Sequence, residues 1–253
     1  MLFRSPSTGL YLFLISTQCL QDGIYLDGLQ NQSIQFLRVL NCGGNGVVLR
    51  NSRAVNFAVD KSQYSQMNGG HGLLLDSCQN VFMQGLPFYN NGGDGLRIVN
   101  CTNVFSAIYH TDGNGGDGVA ILENSSQVAI HDGNNYNNAG MGVRIQDSTG
   151  VTVAPLSFQG RMYIGDCNAG QIWVQNSKNV VLGVPAEDRH LSLSGFTKAL
   201  LTITGDATDN IQVVGCSLSG NAPNLSQGIL INGGQNITIG DRNPLFGNHI
   251  DPE

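Results

Sequence analysis

Helix-building residues are nearly missing from this chain. Its 253 residues include only three Glu and three Lys, and charged residues of all kinds make up 12%, roughly half the usual quarter. Without the side chains that cover helix surfaces, a helical bundle or coiled coil is excluded. Positive charge is scarce as well, since 12 Lys and Arg against 18 Asp and Glu leave a net charge of −6. That balance gives no electrostatic footprint for nucleic acid or an anionic membrane. No run approaches the ~18 apolar residues that span a bilayer. The apolar stretch from Leu10 to Ile15 has no clean small-residue cleavage site behind it and reads as an opening strand. Cys19, Cys42, Cys78, Cys101, Cys167 and Cys216 show neither a CxxC pair nor metal-ligand spacing, so no metal site is expected from them.

In place of charge the chain has glycine, 34 residues of 253, and 41% apolar residues. That apolar share is enough to repay ordering, so disorder is excluded too. The remaining reading is a strand-and-turn protein, and internal repeats define it. Gly72-Leu-Leu-Leu-Asp-Ser-Cys-Gln-Asn80-Val81 matches Gly95-Leu-Arg-Ile-Val-Asn-Cys-Thr-Asn103-Val104 position for position. The same frame starts at Gly46, Gly118, Gly142, Gln171 and Gly228, with weaker copies at Gly23 and near Ala199. Each unit holds a first strand, a turn, a second strand and a less regular third stretch. Such a unit is too short for a βαβ crossover and suits one turn of a three-sided coil. Alternation points Leu73, Leu96, Val119, Val143 and Ile172 inward with Ile98, and Arg97 outward.

Asn68, Asn91, Asn114, Asn138 and Asn224 stand four residues before the anchoring Gly or its equivalent. Asn80, Asn103, Asn179, Asn210 and Asn236 precede the second-strand apolar residue. Both sets are expected as inward ladders, because stacked amides donate and accept along the coil axis and tolerate left-handed corners. Cys78 and Cys101 occupy equivalent positions and are expected as stacked thiols rather than a disulfide.

This pattern, best developed in Asn91-Gly-Gly-Asp-Gly-Leu-Arg-Ile-Val-Asn100, resembles the right-handed parallel β-helix superfamily with its pectate-lyase-like fold. The resemblance covers about residues 20–240. It implies an all-β, single-stranded right-handed parallel β-helix solenoid of about nine coils, one domain over residues 1–253. Residues 1–20 would lead in and residues 241–253 would form a tail, stopped by Pro244 and Pro252. An open first coil predicts self-association through the N-terminal end. The fold hosts lyases, hydrolases, epimerases, phage tailspikes and surface adhesins, so it implies an extracellular or cell-surface protein without naming an activity.

The family's catalytic motifs do not carry over. Gly69-Gly-His71-Gly72 is similar to the Gly-His-Gly of polygalacturonases, but His110-Thr-Asp112 and Gly116-Asp117-Gly118 come after it, in the wrong order, and a second paired Asp is missing. Gly92-Gly-Asp94-Gly-Leu-Arg97 begins like the calcium-binding nonapeptide, yet Arg97 stands where that repeat places its Asp. The Asp-Pro-His-Asp of mannuronan epimerases and the Asp cluster of pectate lyases are not recognisable.

Two lanes carry the remaining chemistry. His71, Asp94, Asp117 and Met141 fall between paired glycines in successive units. Stacking would bring the two Asp backbones to about 5 Å, raising one pKa or holding calcium, the one cofactor left open. Alternatively each Asp caps turn amides. Beside them run the outward positions Leu74, Arg97, Ala120, Arg144 and Trp173, where an indole in line with two arginines would make a platform for acidic sugars. His110 and His131 lie in the irregular third stretch. The catalytic candidates are therefore His71, Asp94, Asp117 and His110, and the substrate-binding ones are Arg97, Arg144 and Trp173. A groove over Arg97 and Arg144 walled by segments 155–168 and 185–198 would favour a carbohydrate-active protein. Two functions fit: an extracytoplasmic protein that binds or processes an acidic polysaccharide, or a non-catalytic structural, adhesin or fibre-type solenoid.

Overall fold

The computed structural model describes residues 2–3, 11–58, 63–107, 110–156, 161–184, 190–195, 199–220, 228–240 and 245–246. Among them there is no α-helix, and every strand pairing is parallel. The first face is a ten-stranded sheet that starts with Leu2–Phe3 and Ile24–Asp27 and ends with Leu201–Thr204 and Ile229–Asn232. Without the two-residue Leu2–Phe3, nine strands remain, in agreement with the expected coil number. Gln30–Leu40 bends around a corner, pairing Arg53–Ala58 with its first half and Tyr64–Gln66 with its last. It therefore joins the second and third faces into one continuous ladder. The coil is three-sided.

Register follows the hydrophobic pattern. Leu73, Leu96, Val119, Val143, Ile172 and Leu201 pair in sequence along the first sheet, and all are buried. Ile98 lies in the neighbouring row, fully buried between Leu75 and Ile121. Val81, Val104, Val128, Val151 and Val180 make the corresponding row of the second face. One β-branched or Leu side chain per coil fits the pleat and meets its copy in the next coil. The third face is mixed inside, where Ser65, Thr111 and Asn135 are buried in one row with Val39, Phe88, Ile164 and Leu193; this is why it lacked a clean alternation.

The two Asn sets behave differently. Asn68, Asn91 and Asn114 are buried, and each side-chain amide donates to the next Oδ1, in Asn91, Asn114 and Asn138, at 2.9–3.0 Å. In these four coils the left-handed backbone falls one residue earlier, at Met67, Asn90, Gly113 and Asn137. Asn80, Asn103, Asn179, Asn210 and Asn236 do take the left-handed conformation, but Asn80 and Asn103 are exposed. The expectation of a second inward ladder is thus corrected. A corner residue with φ near +55° has its side chain on the outside, where Asn103 reaches Asn80 at 2.7 Å. Asn224 lies outside the described residues. The six cysteines are free thiols, and Cys101 Sγ accepts the Cys78 N–H at 3.3 Å. Burial pushes the Cys167 thiol up to about 11 and the Cys216 thiol up to about 12, so both are packing groups.

Tyr11–Thr17 is a strand, with Leu12 and Leu14 buried and Tyr11, Phe13 and Ile15 exposed. Of the C-terminal tail only Leu245–Phe246 is described, paired with Leu218–Ser219; the expected Pro244 and Pro252 stops lie outside the described residues. Residues Arg161–Gly165 and His190–Gly195 are strands of the third face. These strands hydrogen-bond on a different side of the coil from the arginines, and 157–160, 185–189 and 196–198 lie outside the described residues.

Candidate functional site

The position before each anchoring glycine forms a ladder of its own. Asp22 Oδ1 accepts the Asn45 N–H at 2.7 Å, Asn45 Oδ1 that of His71 at 2.8 Å, and His71 Nδ1 that of Asp94 at 2.8 Å. Asp94 Oδ1 then accepts from Asp117 at 2.8 Å, and Asp117 Oδ1 from Met141 at 2.7 Å. Met141 has no comparable acceptor, and the ladder ends there. Each side chain caps the backbone one coil ahead. The glycines make this reach possible, since a Cβ at Gly93 would sit 2.6 Å from His71 Nδ1 and one at Gly116 would overlap Asp94 Oδ1. Asp22 and Asn45 were missed in the sequence, although Asp22-Gly23 and Asn45-Gly46 repeat the Asp94-Gly95 pair.

The carboxylates thus follow the amide-capping alternative. Their Oδ1 atoms cap amides, while their Oδ2 atoms face the outer lane. Arg97 Nη1 donates to Asp94 Oδ2 at 3.0 Å, and Arg144 Nη1 stands 3.6 Å from Asp117 Oδ2. Asp94 and Asp117 are both buried. Burial raises the Asp117 pKa above its ordinary value, and the neighbouring Asp94 charge adds to the rise. His71 Nδ1 also lies 3.4 Å from Asp94 Oδ2, but a nitrogen that accepts the Asp94 N–H carries no proton there. Burial lowers the His71 pKa, so the ring is a neutral acceptor and not an ion-pair partner.

Leu74, Arg97, Ala120, Arg144, Trp173 and Thr202 stack in register along the outer face of the first sheet. The Arg144 guanidinium lies 5.4 Å from the Trp173 ring centroid, and its Nε and Nη2 both donate to Gln146 Oε1. The indole N–H donates to Thr204 Oγ1 at 2.9 Å, so the ring is fixed at both ends. Asp117, Met141, Arg144, Ala169, Trp173 and Thr202 line a depression of about 310 Å³. Six of the seven candidates therefore form two linked clusters, His71–Asp94–Arg97 and Asp117–Arg144–Trp173. His110 does not join them. It lies on the third face, between Tyr89 at 5.1 Å and Tyr136 at 4.7 Å, with its Nε2 3.9 Å from Asp112. His131 is buried against Phe105, and its Nδ1 bonds the Ala154 carbonyl. Among the described residues, no three His, Cys, Asp or Glu side chains gather at one point to hold a metal, and no helix is long and apolar enough to cross a membrane.

Coils of this kind, with an Asn ladder inside and paired glycines at the corners, define a class. The family described as Right handed beta helix region matches residues 22–160, and the protein belongs to it. Among solved structures the chain is similar to the Azotobacter vinelandii mannuronan C-5 epimerase AlgE6 A-module, with 17% identity over 96% of this chain and 80% of that one and a TM-score of 0.47. The AlgE4 A-module of the same organism shares 15% identity over 94% and 91%, with a TM-score of 0.45. The Dettilon tailspike protein shares 12% over 92% and 59%, with a TM-score of 0.53; at that identity the likeness is one of fold. No curated protein matches the sequence.

Proposed function

We propose that this protein binds an acidic glycan on the outer face of its first sheet, in the depression between Arg144 and Trp173. The observation that carries the reading is the guanidinium held over the indole ring beside an open depression. The ring offers an apolar surface to a sugar, and the guanidinium a charged donor to its carboxylate. Arg144, and not Arg97, borders the depression. Its Nε and Nη2 donate to Gln146, which leaves Nη1 for a ligand, since its 3.6 Å gap to Asp117 is too long for a hydrogen bond. Binding is favoured over turnover, because the Oδ1 atoms of both candidate catalytic carboxylates are spent on backbone amides. An extracellular or cell-surface location suits such a protein. The exposed row Tyr11, Phe13 and Ile15 supports self-association at the N-terminal end.

Affinity electrophoresis through gels containing polygalacturonate, alginate or hyaluronate tests the reading. The full chain should be retarded by at least one of them, and Arg144→Gln and Trp173→Ala should each run as in a plain gel. Unretarded migration of the parent chain in all three would overturn the proposal.

A further inference from the structure

The structure holds a larger groove that the Arg144 depression does not include. We infer that the glycan site continues past Trp173 into a second subsite for a neutral, hydroxyl-rich sugar, an inference that rests on the glycan reading above. Thr202 and Thr204 are alternate residues of the strand Leu201–Thr204, so both point outward. Thr202 lines the Arg144 depression, and Thr204 lines a groove of about 920 Å³ at the other end of the same strand. The Trp173 indole, tied to Thr204 by its N–H, lies between them. One ligand can therefore touch both sites while stacking on a single ring.

The lining sets the ligand's chemistry. Thr149, Asn176, Asn232 and Thr204 bring amides and hydroxyls, which donate to and accept from sugar hydroxyls alike. The charged groups are Lys178, which forms no ion pair among the described residues, and two carboxylates, Asp147 and Asp206. Two negative charges against one positive disfavour a second uronate here, in contrast to the Arg144 side. The volume falls in the ordinary range for a ligand site, roughly 300–1,000 Å³. Because the two sites share a strand, the bound chain crosses that strand at Trp173; beyond it the groove extends along the coil axis, lined by corner residues of five successive coils from Asn124 to Asn232. A short oligosaccharide with an acidic unit over Arg144 and a neutral unit beyond Trp173 fills the whole site.

The experiment is a glycan array that carries all-uronate oligosaccharides, neutral ones, and mixed acidic–neutral ones of equal length. It is probed with the full chain and with Ala207→Trp, whose ring would fill the groove from its exposed rim. The parent should hold mixed oligosaccharides at least tenfold more tightly than all-uronate ones. Ala207→Trp should erase that preference and leave all-uronate binding unchanged. Asn232→Ala, a truncation at an exposed position, serves as a second variant if the larger ring perturbs the fold, and it should weaken only the mixed ligands. Equal binding of mixed and all-uronate ligands by the parent, or variants that keep its preference, would overturn the second subsite and leave the Arg144 site standing. No retained acidic or mixed glycan would remove both.

Discussion

Replacing Asn91 by Ala tests the interior ladder, and its cost can be worked from the bonds. Asn91 is 1% exposed. Its Oδ1 accepts from the Asn68 N–H at 3.2 Å and Asn68 Nδ2 at 2.9 Å, and its Nδ2 donates to Asn114 Oδ1 at 3.0 Å and the Ser65 carbonyl at 3.2 Å. After truncation Asn68 Nδ2 keeps Ser65 Oγ, and Asn114 Oδ1 keeps the Asn91 N–H. The Asn68 N–H keeps no acceptor. One stranded buried donor costs about 1–3 kcal/mol, and each of the other lost bonds about 1 kcal/mol net. The total is about 4–6 kcal/mol, a large part of the ~5–15 kcal/mol that holds a whole domain. Asn103→Gly is the control, because its amide makes one exposed bond to Asn80 and its φ of 55° suits glycine. It should cost under about 1 kcal/mol. Urea unfolding followed by circular dichroism reads both. A loss below about 1 kcal/mol for Asn91→Ala, or equal losses for the two, would refute the assignment of inner and outer ladders.

Three further outcomes follow from the packing and the ladder. Ile98→Ala should lower stability by about 2–5 kcal/mol, and a loss under about 1 kcal/mol in the same assay would mean that the sheet faces are reversed. His71 has a folded pKa below its ordinary 6.5, so its contribution is complete above that pH and is lost as pH falls through the lower folded value. His71→Asn, which copies Asn45 in the ladder, should keep the stability at pH 7 and flatten its decline toward pH 5; an unchanged pH profile would contradict the neutral-acceptor role. Asp117 has the opposite sign, with a folded pKa raised above 3.8, so its contribution is present at low pH and lost as pH rises through the raised value. Asp117→Asn should still cap Met141 and melt higher than the parent at pH 7, with the gain vanishing in acid. A lower midpoint at pH 7 would show that the pairing with Arg144 outweighs burial.

Most of the fold was legible because a stacked coil repeats its constraints. The spacing of Gly72 and Gly95 fixed the coil, and the alternation Leu96–Arg97–Ile98 fixed the face. The lanes were legible for the same reason, since Arg144 and Trp173 had to be neighbours once the register held. What escaped was local geometry. Composition places an Asn at a corner, but only the backbone decides that Asn91 turns inward while Asn103 sits outside at φ 55°. Whether Asp94 meets Asp117 or an amide depends on a reach of a few ångströms that repeats do not encode. His110 lies on the third face as its place in the third stretch of the repeat implied, at the start of a strand paired with Asn134, and so apart from the lane.

Trp173 is the only tryptophan in the chain, so its fluorescence, excited beyond the absorption of the tyrosines, reports on the central claim with no second indole to confuse it. Titrating the full chain with an acidic oligosaccharide that retards it on gels should shift or quench the emission, saturating at the concentration where calorimetry finds binding. Arg144→Gln should move that saturation at least tenfold higher. Binding heat that saturates while the Trp173 emission stays unchanged would place the glycan elsewhere on the coil and contradict the account.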